Sequence, residues 1–180
     1  MNCVAQILQI YAAHGGGAYF GERVSMREHG LQAAYFAQQC DAPPSLVVAA
    51  LLHDIGHLLE EVPADLRDWI TDAHHETVGA LWLARRLQPR IAEPVRLHVA
   101  AKRYLCATDP DYSARLSTAS VHTLKLQGGP MSAAEVAQFE TEQYFRDAVR
   151  VRRWDDDGKV AGLQTPPFES YQSLIAQFIL

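Results

Sequence analysis

Apolar residues recur along this chain at intervals of three and four positions, which is the spacing of one face of an α-helix. No stretch alternates apolar and polar residues strictly enough to predict a β-strand. A first amphipathic helix is predicted over residues 2–13, before the glycines at 15–17. A second begins at Ser25, whose capping box is completed by Glu28, and it extends to about Gln39. The pattern therefore predicts an all-α fold.

The third predicted helix starts at Pro43-Pro44-Ser45 and extends through Leu59. It is apolar on almost every side, as expected of a central helix that others surround. Further helices are predicted across residues 75–87, 92–106, 113–126 and 170–179, and a capping box from Ser132 to Glu135 begins one or two more that end near Trp154. Because no repeat, low-complexity tract or long linker divides the chain, we expect one domain over residues 1–180.

The amino-acid composition of the chain argues against some classes of binding partner. The chain has 180 residues, 48% of them hydrophobic, which is enough for a single well-packed core. Its net charge of −5 argues against binding to nucleic acid or to an anionic membrane surface. Residues 1–13 lack a positive region, and the longest apolar run, residues 46–52, is far shorter than the ~18 residues of a membrane span. Three scattered cysteines, Cys3, Cys40 and Cys106, suit a reducing compartment, so a cytoplasmic location is expected.

A histidine and an aspartate are adjacent inside the most apolar predicted helix, at His53 and Asp54. An ionised carboxylate there would be strongly disfavoured without a compensating charge. A divalent metal ion supplies that charge and accepts both carboxylate and imidazole ligands. A hydrogen-bonded His-Asp pair is the alternative for this dipeptide alone. His57 is expected one helical turn after His53, on the same face.

Further candidate ligands lie on separate predicted elements. His29 precedes the central helix, His75 and His98 follow it, and Asp155 lies near the end of the long C-terminal stretch. Each of these residues taken alone is more often structural than a ligand. The run at residues 155–158 is also typical of a solvated turn, and it lacks the distal glutamate of a calcium loop.

Taken in order, these residues read His, His-Asp, His, His, Asp over five elements, and this pattern resembles the HD-domain superfamily. The resemblance implies an HD-domain helical bundle that encloses a dinuclear metal site, in which a shared carboxylate offsets the repulsion between two cations. It also selects His75 over the neighbouring His74, because His75-Glu76 aligns with a ligand His-Glu pair. The implied ligands are His29, His53 and Asp155 for one ion, His75 and His98 for the other, and Asp54 for both.

Such a ligand set serves two chemistries, hydrolysis of phosphoesters by a metal-bound water and activation of dioxygen. Three segments, HVAAKRYL at residues 98–105, QGGPM at 127–131 and RWD at 153–155, look like those of the 2-amino-1-hydroxyethylphosphonate dioxygenases. These are mixed-valent diiron oxygenases of the HD superfamily, and the similarity spans about residues 19–159.

This resemblance implies two iron ions as an Fe(II)/Fe(III) pair bridged by Asp54, with dioxygen as co-substrate. The implied reaction cleaves the C–P bond of a (1R)-1-hydroxy-2-(amino or trimethylammonio)ethylphosphonate to give phosphate and glycine or glycine betaine. An upstream α-hydroxylase acting on the parent phosphonate would supply that substrate. The alternatives are a metal-dependent HD-family phosphohydrolase acting on a small phosphomonoester, and a regulatory module with a structural metal site.

The resemblance also points to residues around the metals. Lys102 lies one helical turn from His98, and Arg152 lies three residues before Asp155, so both are expected near the metal face. Without the ligands, both would be interpreted as surface side chains that extend their charged ends into water. The implied substrate contacts are His57, Lys102, Ser120, Arg152 and Glu22.

Tyr19 and Glu22 follow the flexible glycines, where a loop can move. In the resembled enzymes the corresponding tyrosine caps the iron held by the first ligand set until the substrate's ammonium group attracts the glutamate. A surface tyrosine and a solvated glutamate are the alternative interpretation. The aromatic residues Phe20 and Tyr11 are further candidates to enclose a quaternary ammonium group by cation–π attraction.

Overall fold

The computed structural model describes residues 2–20, 22–59 and 74–180. Within these ranges the chain forms nine α-helices joined by turns and short 3-10 segments. They are α1 (Cys3–His14), α2 (Met26–Gln39), α3 (Pro44–Leu52), α4 (His75–Ala84), α5 (Pro89–Thr108), α6 (Thr118–Leu126), α7 (Ala133–Phe139), α8 (Phe145–Asp157) and α9 (Gln172–Ala176). The same residues contain only two isolated β-bridges, Ala18 with Ser25 and Leu87 with Ile179. The predicted all-α fold is confirmed.

Local capping signals begin several of these helices where the sequence predicts. Ser25 and Ser132 each form a complete capping box, with Glu28 and Glu135 respectively. Each serine side chain accepts a hydrogen bond from the backbone N–H three residues later, and the glutamate carboxylate accepts one from the serine backbone N–H. The box at Ser25 places His29 in the first turn of α2.

Helix α3 lies at the centre of the fold, since every residue from Leu46 to Leu52 is buried. Helices α2, α5 and α8 pack around it, and α5 also packs against α4 and α8. A smaller apolar cluster joins α5 to α7 and α8 around Leu97, Ala101, Phe139 and Ala148. Three of the helices that carry candidate ligands, α2, α5 and α8, therefore surround the buried central helix, and the fourth, α4, packs against α5.

The central helix is shorter than predicted. It ends at Leu52, His53 and Asp54 form a turn, and a 3-10 segment follows over Ile55–Leu58. Asp54 has φ −103° and ψ 13°, outside the helical region. The expectation that His57 lies one α-helical turn after His53 on the same face is therefore wrong. After this turn Gly56 packs directly on α4, where an added Cβ would come within 2.0 Å of the His75 carbonyl oxygen.

Two other predicted helices also differ in extent. The predicted helix over residues 113–126 is a 3-10 turn at Ser113–Arg115 and then α6, because Leu116 is extended and Ser117 caps the new helix. The predicted helix over 170–179 is a 3-10 segment at Phe168–Tyr171 followed by the five-residue α9. Among the described residues, no helix is long and apolar enough to cross a membrane.

Candidate functional site

The structure brings the six predicted ligands together at the centre of the bundle. The ligands come from five elements: His29 from α2, His53 and Asp54 from the turn after α3, His75 from the start of α4, His98 from α5 and Asp155 from the last turn of α8. Five of the six residues are buried, and the side chain of His75 retains 12% exposure. The interpretation of residues 155–158 as a solvated turn is wrong, because Asp155 is helical and 1% exposed.

The first cluster contains His29, His53, Asp155 and one oxygen of Asp54. The Nε2 atoms of His29 and His53 lie 3.0 Å apart. Asp155 Oδ1 lies 3.3 Å from His29 Nε2, and Asp54 Oδ2 lies 3.4 Å from His53 Nε2. All four side chains therefore present a nitrogen or an oxygen to the same small volume.

The second cluster contains His75, His98 and the other oxygen of Asp54. The two imidazole Nε2 atoms lie 3.2 Å apart. Asp54 Oδ1 lies 3.3 Å from Nε2 of His75 and 3.6 Å from Nε2 of His98. His74, the alternative to His75, caps the start of α4 and has a side chain that is 40% exposed. The carboxylate of Asp54 thus lies between two pairs of histidines, one oxygen toward each.

Backbone carbonyls orient three of the four imidazoles. A carbonyl oxygen can only accept a hydrogen bond, so the Nδ1 atom that faces it carries the proton in the neutral ring. The acceptors are the carbonyls of Gly158, Ala50 and Val95, at 2.9, 2.8 and 2.7 Å from Nδ1 of His29, His53 and His98 respectively. Each of these rings therefore presents an Nε2 lone pair to its cluster, which is the arrangement of a metal-binding histidine.

This donor set fits a metal ion in each cluster. The Nε2 lone pairs of His29 and His53, which face each other at 3.0 Å, repel unless a cation lies between them. In addition, the buried oxygens Asp54 Oδ2 and Asp155 Oδ1 have no hydrogen-bond partner among the described residues. Two groups, His29-His53-Asp54 and Asp54-His75-His98, have ligand atoms close enough to share one ion each. Imidazole and carboxylate together suit divalent first-row metals.

The carboxylates of both clusters are ionised. Burial alone would raise the pKa of Asp54, but the surrounding histidines, His53 first among them, hold it well below its usual range. Burial likewise opposes ionisation of Asp155, while the Arg152 guanidinium and the adjacent His29 lower its pKa well below the usual range. The centre therefore offers negative charge to a cation.

A cavity of about 930 Å³ opens beside the second cluster. Its lining includes every predicted substrate or gating residue, Tyr19, Glu22, His57, Lys102, Ser120 and Arg152, together with Phe20 and Lys159. Tyr11 lies elsewhere: its hydroxyl donates to the Leu51 carbonyl at 3.0 Å, and its ring packs on Phe168. The suggestion that Tyr11 encloses an ammonium group is therefore wrong, because that ring belongs to the hydrophobic core.

Aromatic rings form the cavity wall next to the metals. The ring of Tyr19 stacks on His29 with centroids 3.8 Å apart, and His57 stacks on His75 at 3.9 Å. Burial, aided by the positive charge of His75, lowers the pKa of His57 to about 3. His57 is therefore a neutral hydrogen-bonding ring at physiological pH. Phe20 meets His57 edge to face at 4.8 Å.

Lys102 is a buried cation in this cavity. It is 2% exposed, and its Nζ donates to Thr123 Oγ1 at 2.8 Å. Across the described ranges, no aspartate or glutamate forms an ion pair with it, and burial together with the charge of Arg152 lowers its pKa to about 8. A buried ammonium group without a counter-ion is costly unless an anion joins it. Lys102 therefore makes the cavity a site for an anionic ligand.

Arg152 has a different environment, since acidic neighbours occupy most of its donors. Its Nη1 lies 2.7 Å from Asp155 Oδ2, and the guanidinium also pairs with Asp156. Its Nε donates to the Tyr112 hydroxyl at 3.0 Å, and Nη2 lies 3.5 Å from Ser120 Oγ. Arg152 therefore orients Asp155 and lines the cavity, but its charge is already paired with two carboxylates of the protein.

Three neighbours of the site were not predicted from the sequence: Tyr112, Asp156 and Lys159. Asp156 lies four residues after Arg152, and Lys159 lies four residues after Asp155. The same helical spacing that pointed to Lys102 was therefore a usable signal for Asp156, whereas Lys159 follows the end of α8 and is directed by tertiary contacts. Tyr112 precedes a 3-10 turn far from α8 in sequence, and only packing shows its contact with Arg152.

Comparison with known proteins agrees with this geometry. Residues 21–136 match the HD domain family. A protein of Leisingera caerulea named [1-hydroxy-2-(trimethylamino)ethyl]phosphonate dioxygenase (glycine-betaine-forming) is 44% identical over 178 residues, covering 99% of this chain and 91% of the relative. The hydroxymethylphosphonate dioxygenase of Gimesia maris is 42% identical over 171 residues, covering 94% of this chain and 85% of the relative. The chain belongs to the HD-domain family and, within it, to the phosphonate dioxygenases.

Proposed function

We propose that this protein is an O2-dependent diiron dioxygenase that cleaves the C–P bond of a 1-hydroxyphosphonate. The observation that carries the proposal is the position of Asp54, whose two carboxylate oxygens each face a separate pair of imidazole Nε2 atoms beside an anion-binding cavity. The names of the two relatives, both phosphonate dioxygenases, support the same reaction.

The substrate is a (1R)-1-hydroxy-2-(amino or trimethylammonio)ethylphosphonate, and the products are phosphate and glycine or glycine betaine. The reaction balances with one O2 per substrate. One oxygen atom enters the new carboxylate, the other enters phosphate, and C1 loses its hydrogen and its bond to phosphorus while dioxygen is reduced. A 1-hydroxyl group is required at the start, so an α-hydroxylase acting on the parent phosphonate supplies the substrate.

Two iron ions are the proposed metals. His29, His53 and Asp155 would hold one ion, His75 and His98 would hold the other, and Asp54 would be shared between them, since mixed imidazole and carboxylate ligands suit iron. When bound as an Fe(II)/Fe(III) pair, the irons supply dioxygen activation and the one-electron chemistry that amino-acid side chains lack. The Nδ1 contacts of three histidines hold their rings in place for this role.

The protein's own contribution is to bind and orient the substrate. Lys102 provides positive charge for the phosphonate dianion, and Arg152, His57 and Ser120 provide further hydrogen-bonding groups in the same cavity. In this proposal the substrate's C1 lies beside His75 and His98. Holding the reacting carbon at one position lowers the entropic part of the barrier.

Tyr19 and Glu22 form the proposed gate. Tyr19 is 9% exposed and lies flat on His29, so its hydroxyl is confined near the first cluster. Glu22 lines the same cavity and supplies a carboxylate for the substrate's ammonium group. Movement of Glu22 toward that ammonium group would release Tyr19 and open the first iron to dioxygen.

The phosphohydrolase alternative is less well supported. The same ligands could activate a water molecule with manganese, but both relatives above are named dioxygenases. A regulatory role is also disfavoured, since four of the six candidate ligands, Asp54, His75, His98 and Asp155, line a substrate-sized cavity.

The first experiment is to purify the protein without added metal, count its metals and record Mössbauer spectra before and after limited exposure to oxygen. Two irons per chain that pass through a coupled Fe(II)/Fe(III) state, with phosphate released from a 1-hydroxyphosphonate only when O2 is present, are expected. Anaerobic release of phosphate from a phosphomonoester by the manganese-loaded protein, with no turnover of the phosphonates, would overturn the proposal.

A further inference from the structure

The backbone that follows α8 is held against α2. His29 Nδ1 donates to the carbonyl of Gly158 at 2.9 Å. Three residues further along α2, the buried side chain of Gln32 both donates to the carbonyl and accepts from the N–H of Val160, each at 2.9 Å. Residue 159 thus lies between two anchored neighbours, and its direction is determined by α2.

This anchoring directs Lys159 into the cavity. Its side chain is 11% exposed, and its Nζ donates to Ser120 Oγ at 3.1 Å. The same Nζ lies 5.7 Å from the centroid of the Tyr19 ring. A lysine that follows a helix usually extends into water. The inward position of Lys159 is instead determined by the contacts that anchor its neighbours to α2.

The charge of Lys159 is only loosely compensated by the protein. Its Nζ lies 3.9 Å from Asp155 Oδ1 and 3.6 Å from Asp156 Oδ1. Both carboxylates already have a closer partner in Arg152, whose Nη1 lies 2.7 Å from Asp155. If Asp155 also binds a metal ion, as proposed above, less of its charge remains for Lys159.

Ser120 connects Lys159 to the anion site. Its Oγ accepts hydrogen bonds from Lys159 and, at 3.5 Å, from Arg152. Because these donors occupy its lone pairs, the hydroxyl hydrogen of Ser120 is available to an acceptor, and Ser117 Oγ lies 3.4 Å away. A phosphonate oxygen in the cavity is such an acceptor, and it would then lie beside the ammonium group of Lys159.

We propose that Lys159 is a further substrate-binding residue, which pairs with the phosphonate group together with Lys102 and Ser120. This inference rests on the proposed function and adds to it a second ammonium group for a dianion. Lys102 alone supplies one positive charge without a protein counter-ion, whereas a fully ionised phosphonate carries two negative charges.

The test measures binding without turnover. Methylphosphonate, which lacks the 1-hydroxyl, is titrated calorimetrically into the iron-loaded protein under anaerobic conditions. We expect Lys159→Met to raise Kd by roughly tenfold or more, the effect of losing a charge-assisted hydrogen bond, and Lys159→Arg to recover most of the affinity. Lys125→Met is the matched control, because Lys125 is exposed on α6 and is not among the cavity-lining residues.

A Lys159→Met protein with the Kd of the wild type would overturn the inference. So would loss of iron from that variant at the same time as loss of affinity, since Lys159 would then act on Asp155 rather than on the ligand. Failure of the proposed function would give a different result from failure of this inference. The wild-type protein would bind methylphosphonate but would release no phosphate from a 1-hydroxyphosphonate in the presence of iron and O2.

Discussion

The phenol ring of Tyr19 lies flat against the imidazole of His29, with centroids 3.8 Å apart and planes inclined by 21°. Tyr19 is carried by the segment before α2, whereas His29 is buried in the first turn of that helix. This contact places a side chain from outside the helices against a candidate ligand of the first cluster. Movement of that segment would uncover the cluster while its ligands stay on their own elements.

Tyr19→Phe keeps the stacked ring and removes only the hydroxyl group. We expect the variant to retain two irons but to oxidise about fivefold faster in air without substrate, as for loss of one contact of ~1 kcal/mol. Stopped-flow absorbance of the reduced protein mixed with oxygenated buffer measures this rate. Tyr35→Phe, the same change on a half-buried tyrosine of α2, is the control. Equal rates for the two variants and the wild type would show that Tyr19 does not gate the iron.

The lowered pKa of Lys102 predicts a pH dependence. Burial, followed by the charge of Arg152, lowers this pKa to about 8, so the ammonium form that binds an anion is lost as the pH rises through that value. Since kcat/KM reports the free enzyme, it should fall above about pH 8.

Two substitutions test whether Lys102 causes this fall of kcat/KM at high pH, the basic limb of the pH profile. Lys102→Arg should remove it, because a guanidinium stays charged over the whole range, and Lys102→Met should lower kcat/KM by roughly 10–100-fold at every pH. The measurement is phosphate release at a series of pH values. A basic limb that persists unchanged in Lys102→Arg would have to arise from another group.

Phe20 is expected to favour a quaternary ammonium substituent on the substrate. Its ring is 44% exposed, lines the cavity with Glu22 and adopts a left-handed φ of 41°, which is uncommon for a bulky residue. A trimethylammonio group cannot donate hydrogen bonds, but an aromatic face and a carboxylate both attract it. Phe20→Leu should therefore raise KM for the trimethylammonio substrate by about 2–30-fold, corresponding to ~0.5–2 kcal/mol.

Hydroxymethylphosphonate, which has no nitrogen, provides the comparison substrate. The ratio of kcat/KM for the trimethylammonio substrate to that for hydroxymethylphosphonate should fall in Phe20→Leu. Phe36→Leu, the same change on α2 at a residue outside the cavity lining, should leave the ratio as in the wild type. A ratio that does not change in Phe20→Leu would exclude Phe20 from substrate selection.

Gly56 controls the position of His75. A Cβ at this residue would come within 2.0 Å of the His75 carbonyl oxygen and 3.0 Å of the Gly79 nitrogen. Gly56→Ala should therefore displace the start of α4, lower stability by roughly 1–3 kcal/mol and reduce iron binding at the second cluster. The melting temperature would fall by several degrees, at about 2–4 °C per kcal/mol.

Thermal unfolding and iron content of the purified variant test this prediction together. Gly16→Ala is the control, because nothing lies within 4 Å of a Cβ added at Gly16. If Gly56→Ala melts like the wild type and binds two irons, the approach of the two backbones is not what holds His75.

The sequence alone was sufficient to predict the all-α class and the starts of most helices. Those signals are local: a capping box such as Ser25 with Glu28, or a proline at the first turn of α3, acts through neighbouring backbone groups. The six candidate ligands were also identifiable, because a His-Asp pair in an apolar helix is unusual and the order of the others resembles a known family. The predicted helices and the candidate ligands both depend only on residue type and on spacing along the chain.

Only the tertiary structure decided how those residues meet. The end of the central helix at Leu52 and the close approach of Gly56 to His75 are features of the folded chain, and the inward direction of Lys159 depends on Gln32, 127 positions earlier in the chain. Tyr11 was misassigned for the same reason, since its contact with Phe168 is made by distant parts of the chain. Helical periodicity describes which face a side chain occupies, whereas the partner of that face is determined by long-range packing.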